Sequence, residues 1–281
     1  MTVRAVAIRS AVVAVTAVLA LALSLLPSGP ARGAEPVPGP TPTTPTARSI
    51  DDVARAWRAA APTTVVVGHS VQGRPIVARR QGPATAPYVL LVLGQMHGSE
   101  PRGRDVVRAM GALAPPAQLQ VWTISTMNPD GAARGRRTNA RGVDLNRNFP
   151  YLWSARYSSR YLYYPGRAPG TEPEVRAMTT FLDRLRPGLV VSLHQHYAAV
   201  DLGTGKVRAW SLRLASALRL RSLVVPCRSG PCSGTMTAWF NHGHPGSAVT
   251  VELPLTVPPV LAAAYARSIL RVGAMLVPRA A

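Results

Sequence analysis

Three apolar runs in this chain lead into polar residues that could do chemistry. Tyr88–Leu93 (YVLLVL) leads into Gln95-Met96-His97-Gly98-Ser99-Glu100, 189–193 (LVVSL) into His194, and 248–251 (AVTV) into Glu252. His97 and Glu100 are three residues apart, so a single turn can aim both at one point. Two neutral imidazoles and a carboxylate make the His₂Glu ligand set of catalytic zinc sites, which keep a fourth position open. A lone His-x-x-Glu is a weak signal. Its placement after a strand, beside two further polar strand ends, gives it weight.

A second segment lies between the first two strand ends. Asn128-Pro129-Asp130-Gly131 is followed by Arg134-Gly135-Arg136-Arg137-Thr138-Asn139, then by Gly142-Val143-Asp144-Leu145-Asn146-Arg147-Asn148-Phe149. Asp130 reads as a turn residue, and a simple turn cap is one reading of Asp144. Arg134, Arg136 and Arg141 read as solvated neighbours of Arg137, with Arg136 the alternative in register. His196, two residues beyond His194, would point the same way on a continuing strand and is the alternative ligand. His242 and His244 fall in a Gly/Pro-rich stretch read as a loop, and His69 reads as a surface strand residue.

In order and spacing, these motifs resemble the zinc carboxypeptidases of the carboxypeptidase A type. The likeness begins at Gly68–Ile76 (GHSVQGRPI) and runs through His97–Glu100, Gly142–Phe149 and Ser192-Leu-His194 to Thr250-Val-Glu252-Leu253. Within that family, Asn128–Phe149, Glu172-Pro173-Glu174-x-Arg176-Ala177 and Ser192–Gln195 are similar to the bacterial murein peptide amidase A group. Members of that group cleave the γ-D-glutamyl–diaminopimelate bond of cell-wall peptides. The resemblance implies one Zn²⁺ held by His97, Glu100 and His194, which makes hydroxide available near neutral pH. It implies Glu252 as general base, Arg137 as oxyanion donor, and Asn146 and Arg147 as a clamp on the substrate's free carboxylate. Asp144 would orient His97. The implied substrate is a peptide, with peptidoglycan fragments first. The alternative is a general metallocarboxypeptidase that removes C-terminal residues from peptides or proteins. Two departures stand out: the family's mobile tyrosine has no counterpart in Pro226–Thr237, and Gly234–Trp239, the expected pocket floor, carries no acid.

The elements that must position these residues follow from periodicity. Strands are expected at 63–68, 75–79, 88–93, 119–126, 189–193 and 248–253. Helices are expected at 51–60, 104–113, 172–185, 209–220 and 259–276. Ser49 suits the first helix as its cap. The face expected to be buried there is Val53, Ala54, Trp57 and Ala60. Continuously apolar strands alternating with helices argue for one α/β domain. Its central sheet is mixed and largely parallel, covered by helices on both faces, with the site at strand carboxyl ends.

The chain of 281 residues carries 32 Lys+Arg against 12 Asp+Glu, a formal charge of +20. Lys206 is its single lysine. The arginines are dispersed, with no basic run or motif for nucleic acid, so no nucleic-acid partner is expected. Residues 1–33 read as a signal peptide: Arg4 and Arg9, then apolar 11–26, then Ala31-Arg32-Gly33 before the cut. That run is short of the roughly 18–20 residues that span a bilayer. The protein is expected to be secreted or cell-envelope associated, at the membrane only if the segment is retained, and monomeric. Pro/Thr-rich 34–47 reads as a linker to a catalytic domain at 48–281. In an exported chain, a local disulfide between Cys227 and Cys232 is expected.

Overall fold

The computed structural model describes residues 49–278 except 204 and 226–231. The chain divides into two units, Met1–Thr46 and Ala47–Ala281. The expected signal peptide and linker lie outside the described residues, as does Cys227; Cys232 is disulfide-bonded.

The elements are α1 (Ile50–Ala60), β1 (Thr64–His69), β2 (Pro75–Gln81), β3 (Tyr88–Leu93), α2 (Arg102–Met110), β4 (Leu119–Ile124) and α3 (Pro129–Arg134). A 3-10 turn, Leu145–Arg147, precedes α4 (Pro173–Leu185), β5 (Leu189–Gln195), β6 (Ala199–Asp201) and α5 (Lys206–Leu218). Then come β7 (Arg221–Leu223), α6 (Met236–Gly243), β8 (Ser247–Leu253) and α7 (Pro259–Ala274). One sheet of order β1-β2-β4-β3-β5-β8-β6-β7 joins all eight strands. Its centre, β4-β3-β5-β8, is parallel, while β1, β2 and the β6–β8 contact are antiparallel.

The continuous apolar strands are buried on both faces, as their sequences require. On one face β3, β5 and β8 pack against α2, α5 and α7. On the other they meet α1, α4 and α6, around Trp122, Phe149 and Phe240. Trp57 stacks on Trp122 at 6.1 Å between ring centroids, and Phe181 meets both rings edge-on.

Ser49 caps α1 as expected, accepting from the Asp52 N–H. The buried face of α1 is turned from the expected one: Val53 is 55% exposed, and Arg58 is buried, donating to the Leu185 carbonyl at 2.9 Å. Four elements lack a sequence forecast. β6 and β7 are three residues long, too short to show a period. α6 occupies the stretch read as a loop, started by Thr235, whose hydroxyl accepts from the Ala238 N–H. Asn-Pro-Asp-Gly opens α3 instead of forming a turn: the Asn128 side chain accepts from the Gly131 N–H and Pro129 fills the first helical position, where no N–H is needed.

Asp130 is fully buried and accepts from Ser70 Oγ (2.9 Å), the Gln72 N–H (2.9 Å) and Arg74 (2.5 Å). It ties the β1–β2 turn to α3. Burial alone would raise its pKa, but Arg74, Gln72 and Ser70 outweigh this and hold it below the ordinary aspartate value. A depressed carboxyl stabilises the fold above its unfolded pKa and loses that contribution as pH falls through the folded value. Asp130→Asn is therefore expected to cost about 2 kcal/mol at pH 7. The gap to wild type should narrow in urea melts below pH 4; a gap unchanged with pH would refute the charge argument.

Candidate active site

The first turn of the site is closed by the backbone. The Glu100 N–H donates to the His97 carbonyl at 3.0 Å, which brings both side chains to the same side. Gly98 is required here because an added Cβ would fall 2.0 Å from the Gly131 carbonyl carbon of α3. His194 lies inside β5, paired in register with Glu252 of β8, so adjacent strands deliver both.

His97, Glu100 and His194 are buried and their ligand atoms converge. His97 Nδ1 is 2.8 Å from Glu100 Oε1 and 3.2 Å from His194 Nδ1, which is 3.1 Å from Glu100 Oε2. Ligands about 2.0–2.1 Å from a tetrahedral zinc lie roughly 3.4 Å apart, so three such atoms fit one ion. The outer ring nitrogens support this. His97 Nε2 faces Asp144 Oδ1 at 3.1 Å; a carboxylate only accepts, so Nε2 carries the proton and the Nδ1 lone pair faces inward. His194 Nε2 lies 3.2 Å from Ser192 Oγ, a supporting contact that the Ser-x-His spacing did not announce.

Asp144 is fully buried and makes more bonds than a turn cap. It accepts from His97, from the Asn146 N–H (2.9 Å) and from Arg137 through Nε (3.0 Å) and Nη2 (2.9 Å). Burial would raise its carboxyl, but Arg137 and His97 hold it far below the usual range, so it is charged. Its loop is held in turn by Asn139, which bonds Glu172, Glu174 and the Arg141 and Val143 amides. Glu172, the residue before α4, and Glu174 in its first turn therefore anchor the site loop.

Arg137, and not exposed Arg136, reaches inward, with Nη1 3.1 Å from Glu100 Oε1. Tyr163, not singled out in the sequence, lies under both guanidinium groups, 5.1 Å from Arg137 and 5.6 Å from Arg147. Asn146 Oδ1 accepts from the Met236 N–H at the start of α6. Glu252 is buried, and its Oε2 has no hydrogen-bond partner within the protein. Burial raises its pKa despite His194 nearby.

His97, Glu100, Arg137, Asn146, Arg147, Tyr163, His194 and Glu252 line one cavity of about 1580 Å³, and Asp144 supports it from behind. Thr237, Thr250 and Asp201 also line it, so β6 places an acid in the wall although Gly234–Trp239 carries none. Tyr151, Tyr163 and Tyr197 border it, none of them from Pro226–Thr237. β5 ends at Gln195, followed by a cis peptide, and exposed His196 stays out of the ligand trio. His242 lines the cavity and stacks on Tyr151 at 3.9 Å, whereas buried His244 bonds Asp183. His69 is exposed on β1.

Comparison with known proteins decides the family. The zinc carboxypeptidase pattern matches residues 117–200. Murein peptide amidase A of Escherichia coli K12 is 33% identical over 184 residues, which cover 58% of this chain and 75% of the relative. The chain belongs to the zinc carboxypeptidase family. The crystal structure of murein-tripeptide amidase from E. coli O157 superposes with a TM-score of 0.61 at 27% identity, covering 78% of this chain and 95% of that one. Carboxypeptidase A from Helicoverpa armigera gives a TM-score of 0.64 at 18% identity, over 80% and 70% of the two chains. The rat carboxypeptidase N catalytic chain is 31% identical over 179 residues, 48% of this chain and 37% of that one. This family member is a metallopeptidase hydrolase whose family uses one zinc, and the His97–Glu100–His194 trio could bind it.

Proposed function

We propose that this chain is an exported peptidase that releases a residue bearing a free carboxylate from a cell-wall stem peptide, at the γ-D-glutamyl–diaminopimelate bond. The observation that carries the catalytic part is the unpartnered Glu252 oxygen in the same cavity as the ligand trio and the Asn146–Arg147 pair. Zinc held by His97, Glu100 and His194 would supply Lewis acidity, activating water and polarising the scissile carbonyl. Glu252 takes a proton from the attacking water and returns it to the leaving amine. Arg137 donates to the oxyanion as it develops, its guanidinium fixed by Asp144 and Tyr163. Arg147 and Asn146 grip the free carboxylate and so restrict the enzyme to chain ends.

The substrate reading is supported by the murein amidase relatives and by the cavity wall. A diaminopimelate side chain ends in an ammonium beside a carboxylate. Asp201, one residue past the Val200–Val251 pair of β6 and β8, places an acid in the wall near Thr250 and Thr237. Mass spectrometry of products from purified muropeptides tests the reading. Cleavage of L-Ala-γ-D-Glu-diaminopimelate is expected, with kcat/KM reduced about tenfold or more in Asp201→Asn. Hydrolysis confined to blocked dipeptides would make the protein a general carboxypeptidase instead.

A further inference from the structure

The charge of this protein is segregated between the two faces of its sheet. On the α1–α4–α6 face the helices balance Asp51, Asp52, Glu174 and Asp183 against Arg55, Arg58, Arg176 and Arg184. On the α2–α5–α7 face the balance is gone. α2 carries Arg102, Arg104 and Arg108 against Asp105 alone; α5 carries Lys206, Arg208 and Arg213, and α7 carries Arg267 and Arg271, neither with an acid. A compositional excess of arginine would load both layers alike and would not leave one of them with a single acid.

This basic face also holds a groove of about 750 Å³ that runs along α7, beside the carboxyl ends of α2 and α5. Leu113, Leu261, Ala264 and Leu270 supply apolar lining, and exposed Arg219, Arg267 and Arg271 stand along it without an acid among the lining residues. Among the described residues these three arginines share no ion pair with a carboxylate. Val260 on α7 is 81% exposed and Leu212 on α5 is 45% exposed.

We propose that this face docks on an anionic phospholipid bilayer, with the arginines on the phosphates and the groove taking acyl-chain carbon. Arginines alone would suit any polyanion; an apolar lining between them suits an amphiphile, since a linear polyanion has nothing to put there. The orientation also follows. The starts of α2 and α5 (Arg102, Lys206) line the catalytic cavity, whereas the segments past their ends (Leu113, Arg219) line the groove. Groove and cavity share no residue, so a docked molecule keeps its cavity directed away from the lipid.

Vesicle flotation of the full chain tests this, using phosphatidylcholine with and without phosphatidylglycerol as the anionic lipid. The variant R219Q/R267Q/R271Q is compared with R55Q/R176Q/R184Q, which loses the same charge from the opposite face and keeps the same N-terminal segment. Each basic residue near such a surface changes partitioning roughly fivefold, so the groove variant should fall by about a hundredfold and the control far less. Single R267Q, about fivefold weaker, serves if the triple variant misfolds. Hydrogen exchange should slow along α7 and the end of α5 on anionic vesicles. Equal losses in both triple variants, or equal wild-type binding to neutral vesicles, would overturn the proposal. So would a groove variant that loses binding to polyphosphate but keeps it to vesicles.

Discussion

His194→Ala is expected to lose zinc and hydrolysis together. The trio has three ligand residues for an ion that takes four ligands, and among the described residues no fourth donor joins the cluster to replace one. Exposed His196 lies beyond the end of β5 and cannot compensate without moving the strand end. Zinc measured by plasma mass spectrometry should drop to background after dialysis, with kcat/KM unmeasurable. The variant should remain folded by circular dichroism, because β5 stays paired with both β3 and β8. Full zinc occupancy with normal activity would remove His194 from the metal site.

Glu252→Gln is expected to give the opposite pairing: full zinc and a kcat/KM lower by about 10²–10⁴. Glutamine keeps the size and an acceptor oxygen but cannot take a proton at working pH. Because Glu252 Oε2 has no partner within the protein, the change should leave the fold unstrained and the melting temperature near wild type. KM should move less than kcat, since the Asn146–Arg147 pair sits elsewhere in the cavity. Retained activity at full zinc would require another base, and the proposed mechanism would fall.

The sheet was legible in the sequence because its central strands are apolar without interruption, and burial on both faces demands that. The ligand trio was legible because each member sits at or near the end of such a strand. What stayed hidden has short range or long reach. β6 is three residues long, so Asp201 could not be placed in the cavity beforehand. Tyr163 acts by lying under two guanidinium groups distant in sequence from its own tyrosine-rich stretch, and spacing does not encode stacking. Asp130 looked like a turn residue because Asn-Pro-Asp-Gly is good turn chemistry. Its burial comes from Ser70, Gln72 and Arg74, about sixty residues earlier in the chain. The Ser-x-His spacing already favoured His194 over His196, while Arg136 and Arg137 were open in register; the structure separates both pairs by exposure and by contact, with Arg137 on Glu100 and Asp144 and His194 in the ligand trio.

One carboxylate bears on how such a protein can change over generations. Asp144 sets the proton on His97, anchors the Arg137 guanidinium and starts the turn that presents Asn146 and Arg147. On the roles proposed above, a mutation there would disturb the metal site, the oxyanion donor and the chain-end clamp in one step, leaving no partly working intermediate for selection to refine. Substrate preference can instead drift at Asp201, Thr237 and Thr250, which touch none of those three bonds. New specificities in this lineage should therefore arise on the cavity wall while position 144 stays fixed, and a descendant that has lost Asp144 should have lost catalysis as a whole.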